Sequence, residues 1–236
     1  MNNFVCIGGH QIIKIKDSRI IKPTRKSEVV FYKELLPKYH NLQTFVPKYY
    51  GYGLTNDIKE LFSEEEYDLI LKKKYDHYIE LDNLLINMTD YAILDIKLGK
   101  IHWPKNTPQK EIENHKIRNI KSTTLTHGFR LDGALVNNKI WSKEECRNMT
   151  INMIIDIFKV TLTSKSINVI TDWISYLITV LGNIDMNLYG PSILIIISGN
   201  MVKIKLIDFT VFEETNDSLN DLIDSLTILS EIISII

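Results

Sequence analysis

Apolar and polar residues alternate with a period of two along several short stretches in the first third of the chain, and this spacing predicts strands. The predicted strands cover residues 4–16, 19–23, 46–52, 67–73 and 78–81. Asp17-Ser18 provides the turn of a hairpin between the first two, and residues 60–66 are predicted as a polar loop. Residues 28–36 have helical spacing and end at Pro37. The first third is therefore predicted to be a small antiparallel sheet with one helix.

After residue 83 the pattern predicts a larger region in which strands and longer helices are mixed. Its strands are predicted at residues 92–98, 128–136, 139–141, 192–197 and 202–209, and its helices at residues 107–121, 142–158, 167–181 and 219–235. Thr107-Pro108 supplies an N-cap and a proline for the first helix, and Ser142 with Glu145 forms a capping box for the second. Gly199-Asn200 provides the turn between the last two strands.

Size and composition limit the class of protein. The chain has 236 residues and is 44% hydrophobic, which is enough to bury a core in one large domain or in two lobes. The two cysteines, Cys6 and Cys146, argue against a disulfide framework and favour a reducing compartment. The first residues lack the pattern of a signal peptide, and no window approaches the ~20 apolar residues of a membrane span. We therefore expect a soluble protein of the cytoplasm, the nucleus or both, with no membrane partner.

Positive charge is concentrated in one segment of the chain. The formal net charge is -1, but residues 100–121 contain six cations and two acids. In the helix predicted there, Lys110, Asn114, Arg118 and Lys121 fall on one face. Such a segment in a nearly neutral chain favours a local anionic ligand over general affinity for nucleic acid. A solvated basic helix is the alternative that the charges alone leave open.

Two acids and a lysine stand where short apolar strands are predicted to end. In the segment Asp95-Ile96-Lys97-Leu98-Gly99, the side chains of Asp95 and Lys97 share one face of a strand because they are two residues apart. Asp208 follows the apolar run of residues 202–207. Phosphoryl transfer needs acids and cations brought together around metal, nucleophile and phosphate, so the pattern suits that reaction. The chain contains no Gly-x-x-x-x-Gly-Lys loop and no His-Arg-Asp or Asp-Phe-Gly motif, which argues against P-loop kinases and protein kinases.

These segments resemble the inositol polyphosphate kinases, a family that includes the inositol hexakisphosphate kinases, the inositol polyphosphate multikinases and the inositol trisphosphate 3-kinases. Asp95, Lys97 and Gly99 match the family signature P-x-x-x-D-x-K-x-G, although Tyr91 stands in place of the proline. The other matching segments are Gly8-Gly9-His10, Lys22-Pro23, Glu28-Val29-Val30-Phe31-Tyr32, Ser122-Thr123-Thr124, Gly128-Phe129-Arg130-Leu131-Asp132-Gly133, Pro191-Ser192-Ile193-Leu194 and Ile207-Asp208-Phe209. They follow the order of the family nearly from end to end.

The resemblance implies an α+β fold of two lobes, like that of protein kinases, with ATP in the cleft between them. The N-lobe is expected at residues 1–82 and the C-lobe at residues 83–236, with a substrate-binding insert at about residues 100–121. ATP and Mg²⁺ are the implied cofactors, and a monomer is expected. The element order predicted above agrees with this division.

The resemblance also assigns residues to the nucleotide and the metal. Lys22 is implied to bind the phosphates of ATP, where a compact ammonium group neutralises charge. Asp82 and Leu84 fall at the expected hinge between the lobes and are implied to contact the nucleotide. Asp208 is implied to bind Mg²⁺, a hard cation that prefers oxygen ligands, with support from Ser192.

Further residues are assigned to the phosphate acceptor. Asp95 is implied to orient the attacking hydroxyl or accept its proton, and Lys97 to contact the transferred phosphate and the substrate. The cations implied to hold inositol phosphates are Lys100, Lys110, Arg118 and Lys121. Glu28 either orients Lys22 or is an exposed glutamate at a helix start.

The sequence therefore predicts an ATP- and Mg²⁺-dependent kinase that acts on a soluble inositol polyphosphate. Within the family, the compact size and the short substrate helix favour a hexakisphosphate kinase or a multikinase. Of these we expect a hexakisphosphate kinase, which makes a pyrophosphate, with some promiscuity; a multikinase or 3-kinase that acts on tris- and tetrakisphosphates is the alternative. Many relatives carry a histidine or lysine shortly after the I-D-F aspartate, but Thr210, Val211 and Phe212 follow here, so the preference of one subfamily does not transfer. A non-catalytic inositol-phosphate sensor and a lipid kinase are the competing classes.

Overall fold

The computed structural model describes residues 12–215 and 220–236. Its strands are β1 (Lys14–Lys16), β2 (Arg19–Thr24), β3 (Tyr49–Leu54), β4 (His77–Asp82), β5 (Ala92–Leu98), β6 (Phe129–Val136), β7 (Lys139–Trp141), β8 (Met186–Leu188), β9 (Ser192–Ser198), β10 (Met201–Ile207) and β11 (Phe212–Glu214). Its α-helices are α1 (Lys26–Val30), α2 (His40–Gln43), α3 (Glu64–Lys72), α4 (Gln109–Ile120), α5 (Thr124–His127), α6 (Lys143–Arg147), α7 (Ile151–Thr161), α8 (Ser164–Leu181) and α9 (Asn220–Ser234). Helix α1 continues as a π-helical turn (Phe31–Leu35) and a 3₁₀ turn (Leu36–Lys38), and another 3₁₀ helix covers Thr55–Leu61.

The first four strands form one antiparallel sheet, in the order β1-β2-β4-β3. The hairpin predicted about Asp17-Ser18 is confirmed for the described residues, where Lys14 pairs with Ile21. Residues 4–11 of that prediction, and with them Gly8-Gly9-His10, lie outside the described residues. The helix predicted at residues 28–36 begins earlier, at Lys26, and its π-helical turn ends just before the proline-containing 3₁₀ turn.

The strand predicted at residues 67–73 is wrong, because this segment is helix α3. Ser63 and Glu66 form a reciprocal capping box at its start, in which the Ser63 hydroxyl accepts from the backbone of Glu66. The residues predicted as a polar loop therefore supply the cap and the first turn of a helix. Ile70 is the fully buried side chain of this helix, so one apolar face anchors it.

Five strands of the second region form a larger antiparallel sheet, in the order β10-β9-β5-β6-β7. The predicted hairpin between β9 and β10 is confirmed, and β6 and β7 form a second hairpin. The single helix predicted at residues 142–158 is wrong: the Ser142 capping box starts α6, but the helix ends and Thr150 caps a new helix, α7. Helix α4 also differs slightly, since Pro108 is its N-cap and no side chain caps it.

Strand β5 separates the main core from the opposite face of the large sheet. Its residues Leu94, Ile96 and Leu98 have no solvent exposure and join the core formed with α7, α8 and α9. The intervening residues, among them Asp95 and Lys97, point the other way, as the period of two requires. The polar residues of the sequence motif therefore face away from the main core.

The two sheets belong to two lobes that pack against each other. The Phe31 ring from the first lobe stacks on the Phe209 ring from the second with 4.0 Å between centroids. The backbone of Leu206 also donates to the Phe45 carbonyl over 2.7 Å. Together with the mixed helix and antiparallel sheet content, this gives an α+β fold of two lobes. Across residues 12–215 and 220–236, no helix is long and apolar enough to cross a membrane.

Replacement of Gly128 by alanine is expected to lower the free energy of unfolding by about 2 kcal/mol. Gly128 has φ +74° after α5, and a Cβ atom there would lie 3.1 Å from Ser225 Cβ and 3.2 Å from Ser225 Cα. Urea unfolding followed by circular dichroism measures the change. Gly51→Ala is the matched control, because no atom lies within 4 Å of its added Cβ. Equal losses in both variants would contradict the steric account.

Candidate active site

An ion cluster joins the two lobes at the mouth of the cleft between them. Lys22 Nζ of β2 lies 2.8 Å from Glu28 Oε1 of α1 and 2.7 Å from Asp208 Oδ1, just after β10. The second oxygen of Glu28 accepts from Thr24, and the backbone N–H of Phe209 donates to Oε1 over 3.2 Å. Glu28 has no solvent exposure, so it orients Lys22 and is not the exposed glutamate that the sequence left as an alternative.

The electrostatics of this cluster favour charged groups. Burial by itself would lower the pKa of Lys22, but the carboxylates of Asp208 and Glu28 outweigh it and hold the pKa well above its ordinary value. Asp208 has φ +69°, a left-handed conformation that is rare for a residue with a side chain. A strained residue at the meeting point of two lobes is typical of functional sites. Because its pKa is raised, the ammonium group of Lys22 stays protonated at any physiological pH.

An apolar cleft leads from the interlobe connection to this cluster. It encloses about 770 Å³, including its open mouth, and Lys22, Asp95 and Asp208 lie among its lining residues. The apolar part of the lining includes Ile20, Leu81, Leu84, Ile93 and Ile196. A flat apolar slot that ends in charged groups fits a nucleotide base at one end and its phosphates at the other.

The predicted hinge residues line the same cleft. Asp82 Oδ1 accepts from the backbone N–H of Lys48 over 2.7 Å, so its carboxylate fixes the loop before β3. The Leu84 carbonyl accepts from Lys203 Nζ over 2.8 Å, which anchors the connection between the lobes to β10. The structure thus places both residues at the apolar end of the cleft, and their contact with a nucleotide stays a prediction.

Asp95 lies at the charged end of the cleft, and its pKa is shifted strongly from the ordinary value of an aspartate. Burial raises its pKa to about 7, with a further contribution from the negative charges of Asp132 and Asp208, while Lys97 opposes the shift. Asp95 Oδ1 and the Ser192 hydroxyl are buried in the same place: Ser192 lowers the pKa of Asp95 slightly, and neither atom has another hydrogen-bond partner in the described residues. A buried polar atom without a partner lowers the stability of the fold, so the charged end of the cleft is a candidate place for a ligand.

Lys97 points from the same face of β5 into a second cavity. Its Nζ donates to the Gly190 carbonyl, and burial lowers its pKa despite the negative charges nearby. The pairing of β5 with β6 shifts by one residue here, so Asp132 is the extra residue of a bulge. The bulge sends the Asp132 carboxylate to Arg130, whose Nε lies 3.2 Å from Oδ1, and to Lys143.

The second cavity is strongly basic and encloses about 630 Å³. Its lining includes five cations, which are Lys97, Arg118, Arg130, Lys143 and Arg147. No aspartate or glutamate is among its lining residues in the described chain. The buried Nε of Arg147 has no hydrogen-bond partner in the described residues, so a donor is available for an anion. A small ligand dense in phosphate groups matches this charge.

The four cations that the resemblance assigned to the inositol phosphates do not all line the basic cavity. Arg118 lines the basic cavity, whereas Lys100, Lys110 and Lys121 are not among its lining residues. Helix α4 buries Asn119 and leaves Lys110 and Lys121 exposed, because the face chosen by charge is its solvent side. Lys100 contributes its backbone N–H, which donates to the Asp221 carboxylate.

Sequence reasoning missed two cavity residues on α6 and undervalued a third. Lys143 and Arg147 are four residues apart on a helix whose capping box was visible, and that spacing was the available signal. Arg130 lies in one of the segments that match the family, but the sequence assigned it no ligand. It donates to Thr124 Oγ1 over 3.0 Å, and it also lines the cavity.

The oxygen ligands at the charged end suit Mg²⁺ together with a nucleotide. In the part of the chain that the structure describes, no group of three or more His, Cys, Asp or Glu residues forms a metal cage. Mg²⁺ is usually held by one or two carboxylates together with waters and substrate phosphates, so a full cage is not required. Asp208 and the Ser192 hydroxyl fit that kind of site.

The fold and the site define a kinase-like protein with two lobes, and known proteins agree. The structure of inositol phosphate multikinase Ipk2 of S. cerevisiae, in complex with ADP and Mn²⁺, superposes with a TM-score of 0.71 at 18% identity and covers 96% of this chain and 98% of that one. A second inositol phosphate multikinase structure gives a TM-score of 0.68 at 18% identity, with 88% of this chain and 98% of that chain covered. These similarities confirm the predicted two-lobed α+β fold.

Sequence comparison gives the family. A profile described as inositol polyphosphate kinase matches residues 78–234, and the chain therefore belongs to the inositol polyphosphate kinase family. An inositol polyphosphate multikinase of Schizosaccharomyces pombe is 30% identical over 138 residues, which are 56% of this chain and 49% of that protein. The chain thus spans about half the length of that curated relative.

Replacement of Asp95 by asparagine is expected to stabilise the protein at neutral pH by about 4 kcal/mol. The folded pKa of about 7 lies above the ordinary value of about 3.9. The folded state therefore binds more protons between these values, and the carboxyl costs stability as pH rises. Urea unfolding of both proteins at pH 4 and pH 8 measures the difference. The gain should be near zero at pH 4 and full at pH 8; a gain that is independent of pH would contradict the account.

Proposed function

We propose that this protein is an ATP-dependent kinase that transfers the γ-phosphate to a hydroxyl of a soluble inositol polyphosphate. One observation carries the proposal: an apolar cleft with a charged end and a basic cavity meet at β5, where Asp95 lines the first and Lys97 the second. Family membership supports it, as does the ADP and Mn²⁺ in the S. cerevisiae structure.

At the nucleotide, Lys22 neutralises charge on the ATP phosphates while Glu28, which accepts a hydrogen bond from Thr24, holds it in place. Asp208 and Ser192 are the residues that would hold Mg²⁺, and the bound ion would offset the negative charge of the phosphates. The cleft walls formed by Leu81, Leu84 and other apolar residues exclude water from the base.

At the acceptor, Asp95 orients the attacking hydroxyl and receives its proton. A carboxyl with a pKa near 7 suits this role, since a general base works best when its pKa is close to the working pH. Lys97 lies two residues along the same face and stabilises charge on the transferred phosphate. The remaining cavity cations hold the other phosphates and so position the ring.

The acceptor class follows from the relatives and the cavity together. The resemblance favoured a hexakisphosphate kinase, but the relatives described above are named multikinases. We therefore propose inositol tris- and tetrakisphosphates as the first acceptors to test, with the hexakisphosphate as the alternative. Action as a monomer, in the cytoplasm, the nucleus or both, remains part of the proposal.

Phosphate transfer from ATP to a panel of inositol phosphates tests the function. Asp208→Asn is expected to lower kcat by on the order of a hundredfold, because it removes a charged group from the site of the phosphates and the metal. Asp185→Asn, a change of the same type at an exposed position, serves as the control. Tight ligand binding with no transfer by the unmodified protein would support a sensor instead. Transfer to lipid vesicles but not to soluble head groups would support a lipid kinase.

Two substitutions can distinguish binding of the inositol phosphate in the basic cavity from binding on the face of α4 that the sequence predicted. Arg147→Gln is expected to raise KM for the inositol phosphate about tenfold and leave KM for ATP unchanged, since a charge-assisted hydrogen bond is lost. Lys110→Gln removes the same charge from the exposed face and should change neither constant. Steady-state kinetics with each substrate varied measures both. The reverse pattern would place the inositol phosphate on the exposed face of α4 that carries Lys110, outside the basic cavity.

A further inference from the structure

The basic cavity contains two hydrogen-bond acceptors that have no partner in the described residues. They are His102 Nε2 and Asn119 Oδ1, in side chains that are 9% and 4% exposed. Phosphate groups satisfy the cations of this cavity, but phosphate oxygens are acceptors and cannot pair with another acceptor. A buried acceptor left unpaired costs stability, so these two atoms favour a hydrogen-bond donor, which a hydroxyl of the ligand can supply in place of water.

Local hydrogen bonds fix the orientation of both groups. Asn119 Nδ2 donates to the Lys100 carbonyl over 2.7 Å, which leaves Oδ1 as the unpaired atom. A hydrogen bond to the Gly99 backbone raises the pKa of His102, as donation from a ring N–H does. Because Nε2 has no partner in the described residues, we assign this donor to Nδ1. Nε2 then carries the lone pair. The ring packs against Gly190, where a Cβ atom would lie 3.0 Å from His102 Cδ2, so the ring is held in place.

The surroundings of His102 keep its ring neutral. Burial and, to a lesser extent, the positive charges of Lys97 and Arg130 together lower the pKa of His102 to about 3, and His115 also contributes. The ring of His115 lies 6.3 Å away and is edge-on to that of His102. A neutral imidazole accepts a hydrogen bond at Nε2, whereas an imidazolium would donate one to a phosphate.

We propose that His102 Nε2, together with Asn119 Oδ1, accepts hydrogen bonds from free ring hydroxyls of the inositol phosphate, which makes His102 a specificity-determining residue. The inference rests on the proposed function, since it concerns the same substrate. The hydroxyl at His102 is not the one that reacts, because Asp95 lines the nucleotide cleft and His102 does not. Partly phosphorylated rings are therefore favoured over the hexakisphosphate, which has no hydroxyl to donate.

Calorimetric titration without nucleotide tests the inference. The ligands are inositol tetrakisphosphates, their deoxy analogues that lack one free hydroxyl, and inositol hexakisphosphate. The unmodified protein is expected to bind a tetrakisphosphate about tenfold more tightly than one of its deoxy analogues. In His102→Phe, which keeps a ring but has no acceptor, this ratio should fall to about one. His102→Gln restores an acceptor and should restore a preference, and His127→Phe, outside both cavities, should behave like the unmodified protein.

The outcomes separate this inference from the proposed function. If the ratio for every deoxy analogue is unchanged in His102→Phe, hydroxyl recognition by His102 is wrong while the kinase proposal stands. If the preference disappears as expected but no phosphate is transferred from ATP, the inference stands and the kinase proposal fails. If no inositol phosphate binds, both are overturned. Should His102→Phe not fold, as judged by its thermal unfolding, His102→Leu also lacks the acceptor and is tested in the same titrations.

Discussion

The buried ion cluster of Glu28, Lys22 and Asp208 is the interaction on which the site depends. It draws together β2, α1 and the end of β10, so one lysine links the two lobes. Removal of one member of a buried cluster leaves an unpaired charge, which typically costs about 3–5 kcal/mol, so the arrangement is fixed within narrow limits. The stacked rings of Phe31 and Phe209 lie beside it and exclude water. The cluster thus sets the position of the acid, Asp208, and the cation, Lys22, that line the charged end of the cleft.

Strand β5 connects the cleft that contains the ion cluster to the basic cavity, because it contributes to the lining of each. One of its faces is part of the main core, and the other presents Asp95 to the cleft and Lys97 to the basic cavity. The bulge at Asp132 adds a buried carboxylate beneath the cavity that holds Arg130 and Lys143. The same carboxylate contributes to the raised pKa of Asp95, so the two cavities are coupled electrostatically as well as through the strand.

The sequence predicted the parts of this site that follow from short-range periodicity and motifs, and it failed where tertiary packing decides. The hairpin of β9 and β10 and the strand that carries Asp95 and Lys97 were visible as apolar runs. Helix α3 was mistaken for a strand because its capping box at Ser63 was read as a loop. The face of α4 was chosen by its charges, but burial of Asn119 turns the opposite side inward. The spacing of Lys143 and Arg147 places both on one face of α6, but the contact of that face with the cavity joins residues distant in sequence, which local spacing alone does not reveal.

The central claim is that Lys22, Asp95 and Asp208 surround the terminal phosphate of a nucleotide and its metal. Electron paramagnetic resonance of Mn²⁺, titrated with protein in the presence of a non-hydrolysable ATP analogue, measures the ternary complex directly. The account predicts that the unmodified protein converts the Mn²⁺–nucleotide signal to a bound form and that Asp208→Asn weakens this complex at least tenfold, while Asp185→Asn does not. Equal affinity of all three proteins for the Mn²⁺–nucleotide complex would contradict it.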